Sequence, residues 1–89
     1  MSNNNIVYVG STLILNYCLA IAESLRHRDL VALNARGKSI RRAVDIAEVT
    51  KNRCLKGVNV KSIYHTEEFD SHDGYTRNLS AITILLKNE

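Results

Sequence analysis

The 89-residue sequence predicts an α+β fold: a two-layer β-α-β-α-β-β chain with a four-stranded mixed sheet and two helices on one face. Three observations carry this expectation. Short β-branched or apolar runs alternate with stretches of helical periodicity. The pair Asp73-Gly74 sits between the last two strand-like stretches, where a hairpin needs its turn. Each strand–helix–strand unit crosses over right-handedly, which places both helices on the same side of the sheet. A chain of this length forms one domain, taken as 1–89, whose core is thin and gains from oligomerisation.

Taken in order, "NIVYV" (5–9) is β-branched and aromatic and closes at Gly10, so it reads as a strand. Ser11 or Thr12 can cap the following helix, expected over about 12–27, with Leu13, Tyr17, Ala20, Ile21 and Leu25 at helical spacing. "DLVALNA" (29–35) is the nearly all-apolar kind of strand found buried in α/β sheets. Gly37 breaks it, and a second helix is expected over about 38–54, with Ile40, Ala43, Val44, Ala47, Thr50 and Cys54 inward. Arg41 with Asp45 and Glu48 with Lys51 are spaced to pair on its wetter side. "KGVNVKSIYHTEEF" (56–69) alternates as a third strand, and "LSAITILL" (79–86) is the fourth. That last strand is apolar on both faces, with Ile82, Ile84 and Leu86 on one and Leu79, Ala81 and Leu85 on the other. Two helices cover only one face, so a partner chain is expected over the remainder. Tyr8, Tyr17, Tyr64 and Phe69 fall mainly at core phases, and Tyr75 stands at the hairpin tip.

The formal net charge of +3 is unevenly spread. Residues 36–61 hold eight cations (Arg36, Lys38, Arg41, Arg42, Lys51, Arg53, Lys56, Lys61) against Asp45 and Glu48, a net +6 that leaves −3 elsewhere. Such asymmetry points to a polyanionic partner, although cations also simply keep a surface soluble. Cys18 and Cys54 match no metal or redox spacing and read as buried free thiols of a reducing compartment. "MSNNN" lacks the basic start of a signal peptide, and "LILNYCLAIA" is too short to span a bilayer. A cytoplasmic protein is expected.

The stretch "NARGKSIRRAVD" (34–45) concentrates the charge around Gly37, with no acid between Asp29 and Asp45. "GKS" ends a P-loop, but the glycine required five residues before Gly37 is Ala32, so a nucleotide site is excluded. An anion-binding helix start fits better: glycine allows close backbone approach, the first amides point outward, and the helix dipole favours a phosphate. The alternative is a loop glycine among solvated cations. His27, His65 and His72 show no ligand spacing, no nucleophile–base arrangement emerges, and no cofactor is implied. An enzyme reading has no constellation behind it.

On "NIVYVG", "LNYCLA", "ARGKSIRRAVDIAEVTKNRCL" and "DGYTRNLSAITI" the chain resembles the Alba family of archaeal chromatin proteins over nearly its whole length. The resemblance implies the fold derived above, shared with the C-terminal domain of a bacterial translation initiation factor. It also implies dimers that bind double-stranded DNA, and RNA, with little sequence preference. In that arrangement the second-helix joints face the duplex and two hairpin arms follow its minor groove. Arg36, Gly37 and Lys38 then occupy the family's joint, Arg42 matches a basic position one turn on, and Arg41 is an additional cation. Asn16 and Tyr17 match a first-helix pair with a packing role. Arg53 and Cys54 stand at the contact between neighbouring dimers.

Three departures from the family pattern bear on function. Ser11 and Thr12 complete the candidate nucleic-acid surface where many members carry a lysine pair regulated by acetylation, so that switch is absent and two phosphate contacts are expected to be missing. Cys54 replaces a common phenylalanine, which predicts weaker dimer–dimer contact and less cooperative coating. The arm carries Glu67, Glu68, Asp70 and Asp73 against Arg77, one residue out of step with the family's arm arginine, so it is expected to repel phosphates except at Arg77, itself a candidate nucleic-acid contact. The expected function is sequence-tolerant nucleic-acid binding that packages the archaeal chromosome. Its rivals are an RNA-binding role, as a ribonuclease P-type subunit or messenger-RNA binder, and a heterodimer partner that modulates a standard Alba chain.

Overall fold

The computed structural model describes residues 5–54, 57–70 and 72–88. The "MSNNN" start up to Asn4, and Lys56 of the basic window, lie outside the described residues, as does the side chain of Phe69. The elements run β1 (Ile6–Tyr8), α1 (Ile14–His27), β2 (Leu30–Arg36), a 3-10 turn (Gly37–Ser39), α2 (Ile40–Val49), a π turn (Thr50–Cys54), β3 (Asn59–Asp70) and β4 (Thr76–Lys87). They form one mixed sheet in the order β1-β2-β4-β3, with β1 parallel to β2 and both other pairings antiparallel. The expected β-α-β-α-β-β order and the α+β class are what the chain adopts.

Register explains the layering, because side chains alternate across a strand. Val31, Leu33 and Ala35 of β2 pair with Leu86, Ile84 and Ile82 of β4, and all six are buried. Tyr17, Cys18, Ile21 and Leu25 of α1 and Ala43, Ile46 and Ala47 of α2 close over them. Full burial of an Ile or Leu side chain contributes about 1.5–3 kcal/mol, so this one layer supplies most of the drive to fold.

Several sequence expectations need correction. α1 begins at Ile14, its N-cap Leu13 makes no side-chain cap, and neither Ser11 nor Thr12 fills that role. Leu13 therefore precedes the helix and is 70% exposed, while Cys18 takes the inward place and meets the Ile46 carbonyl. The single long second helix is a 3-10 turn, an α-helix and a π turn in succession. Among the described residues neither Arg41–Asp45 nor Glu48–Lys51 closes into an ion pair. Tyr8 and Tyr64 are 71% and 68% exposed: Tyr8 pairs with Asn34 on the sheet face turned away from the helices, and Tyr64 stands on the edge strand β3. Leu79 and Leu85 are half-buried rather than bare, and the uncovered apolar surface of the open face lies at Ile6 and Ile63 instead. Cys18 is a buried free thiol, but Cys54 is only half-buried.

Candidate nucleic-acid interface

The joint between β2 and α2 is built around Gly37. Its φ of +53° lies in the left-handed region, and a Cβ there would meet Leu79 Cδ1 at 3.4 Å. Glycine is needed for the backbone angle, not merely tolerated. Arg36 ends β2 in extended backbone, and the chain then winds directly into helix, with the Ile40 amide bonded to the Gly37 carbonyl. No side chain caps the start of the 3-10 turn or of α2. The start of the 3-10 turn therefore has no side-chain cap to compete with a ligand, and the dipole favours an anion there.

Arg36, Lys38 and Arg41 are exposed around this point, and the chain supplies no acid of its own between Asp29 and Asp45. Among the described residues Lys38 and Arg41 form no ion pair, whereas Arg36 Nη1 reaches Glu67 Oε1 of β3 at 3.5 Å. Arg42 differs from the other three. It is half-buried, and its Nη2 donates a hydrogen bond to the Thr12 carbonyl. That contact ties the joint to the β1–α1 loop, where Ser11 and Thr12 are both exposed.

The same loop is gripped from below by Tyr17. Its hydroxyl oxygen accepts the Gly10 amide at 2.7 Å and, more weakly, the Thr12 amide at 3.4 Å. Burial pushes the phenol pKa up, but these amides, a Thr12 hydroxyl contact and the Arg42 charge outweigh it, leaving it below the usual tyrosine value. Tyr17 and Arg42 therefore fix the loop that borders the joint. Sequence reasoning assigned Tyr17 to packing alone, and a hydroxyl aimed at amides five and seven residues away leaves no local signal.

The arm is of opposite character. Glu68, Asp70 and Asp73 are exposed on it, and Arg77 is held by Asp73 at 3.0 Å. Asp73 also accepts the Tyr75 amide, and Asp70 accepts the Thr76 hydroxyl, both at 3.2 Å. Arg53 is exposed and Cys54 half-buried on the π turn, on a different element from the joint. A groove of about 290 Å³ runs between α2 and β3, its floor formed by Val44, Ala47, Val60, Ser62 and Ile84, with the charged Glu48 and Lys51 also lining it. Among the described residues no group of His, Cys, Asp and Glu is placed to hold a metal ion, and no helix is long and apolar enough to cross a membrane.

The fold and the joint together define a small two-layer α+β domain that presents a basic, glycine-hinged helix start. The chain belongs to the Alba family: the family model described as Alba matches residues 5–67. It is 44% identical over 84 residues to the DNA/RNA-binding protein Alba 1 of Archaeoglobus fulgidus, covering 92% of this chain and 93% of that one. It is 43% identical over 88 residues to the DNA/RNA-binding protein Alba of Methanoculleus marisnigri, covering 97% and 96% respectively. Among solved structures, Alba from Thermoplasma volcanium superposes with a TM-score of 0.85 at 31% identity, covering 94% of this chain and all of that one.

Proposed function

We propose that this chain is a sequence-tolerant nucleic-acid-binding protein that holds double-stranded DNA, and also RNA, by its phosphates at the Gly37 joint and packages the archaeal chromosome. One observation carries the reading: the uncapped start of the 3-10 turn lies beside exposed Arg36, Lys38 and Arg41, of which Lys38 and Arg41 form no ion pair among the described residues. Its relatives' names as DNA/RNA-binding proteins support it. Arg36, Lys38 and Arg41 touch phosphate, Arg42 and Tyr17 hold the adjoining loop, and Ser11 and Thr12 add neutral hydroxyl contacts. Affinity comes mainly from counterion release, which carries no base identity.

The protein acts as a dimer closed through the α2–β3 groove, where half-buried Val44 and Val60 need apolar cover and exposed Tyr64 extends the patch. Val60→Asp should shift the sedimenting species from dimer to monomer; an unchanged dimer would place the interface elsewhere.

The RNA reading has its own observation, the acidic arm. With Arg77 held by Asp73 and Arg36 shared with Glu67, a minor-groove grip by this arm is poor. RNA held by its backbone shape depends less on such a grip. The test is titration of several duplex DNA sequences and a structured RNA against the wild type and the Arg36→Ala, Lys38→Ala double variant at equal salt. All duplexes should weaken alike by about 100-fold or more. A loss confined to one sequence would contradict phosphate-based binding, and a wild type that prefers the RNA would favour the second reading.

A further inference from the structure

The face of the sheet opposite the helices carries a hollow of about 450 Å³ that phosphate binding at the joint leaves unused, rimmed by Tyr8, Asn34, Arg36, His65 and Glu67. Register accounts for it. Tyr8 of β1 stands beside Asn34 of β2, which stands beside Thr83 of β4; one row on, Arg36, Ala81 and His65 follow one another across β2, β4 and β3. The middle strand thus contributes short side chains, and its neighbours contribute long ones. With strands about 4.8 Å apart, Arg36 and His65 are rooted about 10 Å from each other.

The rim has the chemistry of base recognition. Tyr8 is 71% exposed, so its ring is open to stacking. Arg36 Nη1 and Glu67 Oε1 lie 3.5 Å apart, which sets a guanidinium donor beside two carboxylate acceptors. Guanine presents the complementary order along its pairing edge: the O6 acceptor, then the N1–H and N2–H donors. Uracil and thymine would set a carbonyl against the carboxylate, cytosine would meet donor with donor, and adenine offers a single donor group. The ion pair is exposed and worth little by itself, so engaging it on a base forfeits little, while the bonds gained are charge-assisted.

We propose that this hollow takes an unpaired guanine of a single strand, stacked on Tyr8 and read on its edge by the Arg36–Glu67 pair. The inference rests on the function proposed above, because Arg36 belongs to both sites: a strand whose phosphates lie at the joint delivers its next base across the sheet. Glu67, out of place in a phosphate-binding arm, gains a purpose as the group that accepts from guanine.

The test uses the full chain and short oligouridine and oligothymidine strands carrying one central guanine, one central adenine or neither. Each is titrated against wild type, Tyr8→Ala and Glu67→Gln, with a mixed-sequence duplex as reference. Wild type should favour the guanine strand by about 10-fold. Glu67→Gln should reduce that preference to about twofold or less, and Tyr8→Ala should weaken the guanine strand by about 10-fold while duplex affinity stays within about twofold. A preference in either the ribose or the deoxyribose series supports the site. Equal binding of all three strands by the wild type, or a guanine preference that survives both substitutions, overturns it. If that happens while duplex binding still depends on Arg36 and Lys38, only this inference falls. Absence of duplex binding by the wild type would instead remove the function on which it rests.

Discussion

The joint at Gly37 and the β3–β4 arm lie on the same sheet and handle charge in opposite ways. At the joint, Arg36, Lys38 and Arg41 are exposed around the uncapped start of the 3-10 turn, and of these Arg36 alone meets an acid among the described residues. On the arm, acids outnumber the one arginine, and Asp73 neutralises that arginine at 3.0 Å. The two regions meet at the Arg36–Glu67 ion pair and where Leu79 of β4 packs against Gly37. On the proposed function, long-range attraction of a polyanion is concentrated at the joint, and the acidic arm limits how far the nucleic acid extends along it. Affinity and reach are separable here, which makes each open to its own substitution.

The joint should show the largest effect, a loss of about 100-fold or more for the Arg36→Ala, Lys38→Ala double variant in a duplex titration. Second comes the arm. Replacing Glu68, Asp70 and Asp73 by their amides removes three repelling charges per chain and frees Arg77, and duplex affinity should rise by about 10-fold at low salt. No gain would mean that the arm stays clear of the duplex. Tyr17→Phe leaves the Gly10 and Thr12 amides without their acceptor and should cost about 1–2 kcal/mol in urea unfolding. Duplex affinity should fall with it, because the loop beside the joint loosens; an unchanged midpoint would deny Tyr17 its anchoring role. Glu67→Gln alone should improve duplex binding by about two- to threefold, since it releases Arg36 from an exposed ion pair.

The smallest effect is one of pH. Burial pushes the Cys18 thiol pKa up, with a weaker opposing contact from Thr50. Below about pH 8.5 the thiol is protonated in folded and unfolded chains alike and adds nothing to the pH dependence. Above that, the unfolded chain ionises first, so the folded state binds more protons and stability falls as pH rises. Cys18→Ala should flatten the alkaline limb of a stability–pH curve relative to wild type; an identical limb would show that the thiol does not contribute.

How much of this was legible in the sequence differs between the same two regions. The strand and helix order followed from periodicity, and the joint was visible because glycine, cations and a helix start are neighbours along the chain. The sheet-borne features were hidden. Arg36 and Glu67 are 31 residues apart and meet only because β4 lies between β2 and β3. Alternation placed Tyr8 and Tyr64 on defined faces, but it could not tell which part of a face the helices would leave uncovered. Arg42 looked like its neighbours until the β1–α1 loop came near enough to take its guanidinium. Local chemistry was readable, whereas contacts set by strand order were not.

The central claim is that cations at the joint hold the phosphate backbone. It is tested most directly by wild-type duplex affinity measured over a range of salt concentrations. A dimer engaging about 4–6 phosphates should give a plot of log K against log salt with a slope of about −4 to −5. A slope near zero would contradict electrostatic binding, whatever the affinity.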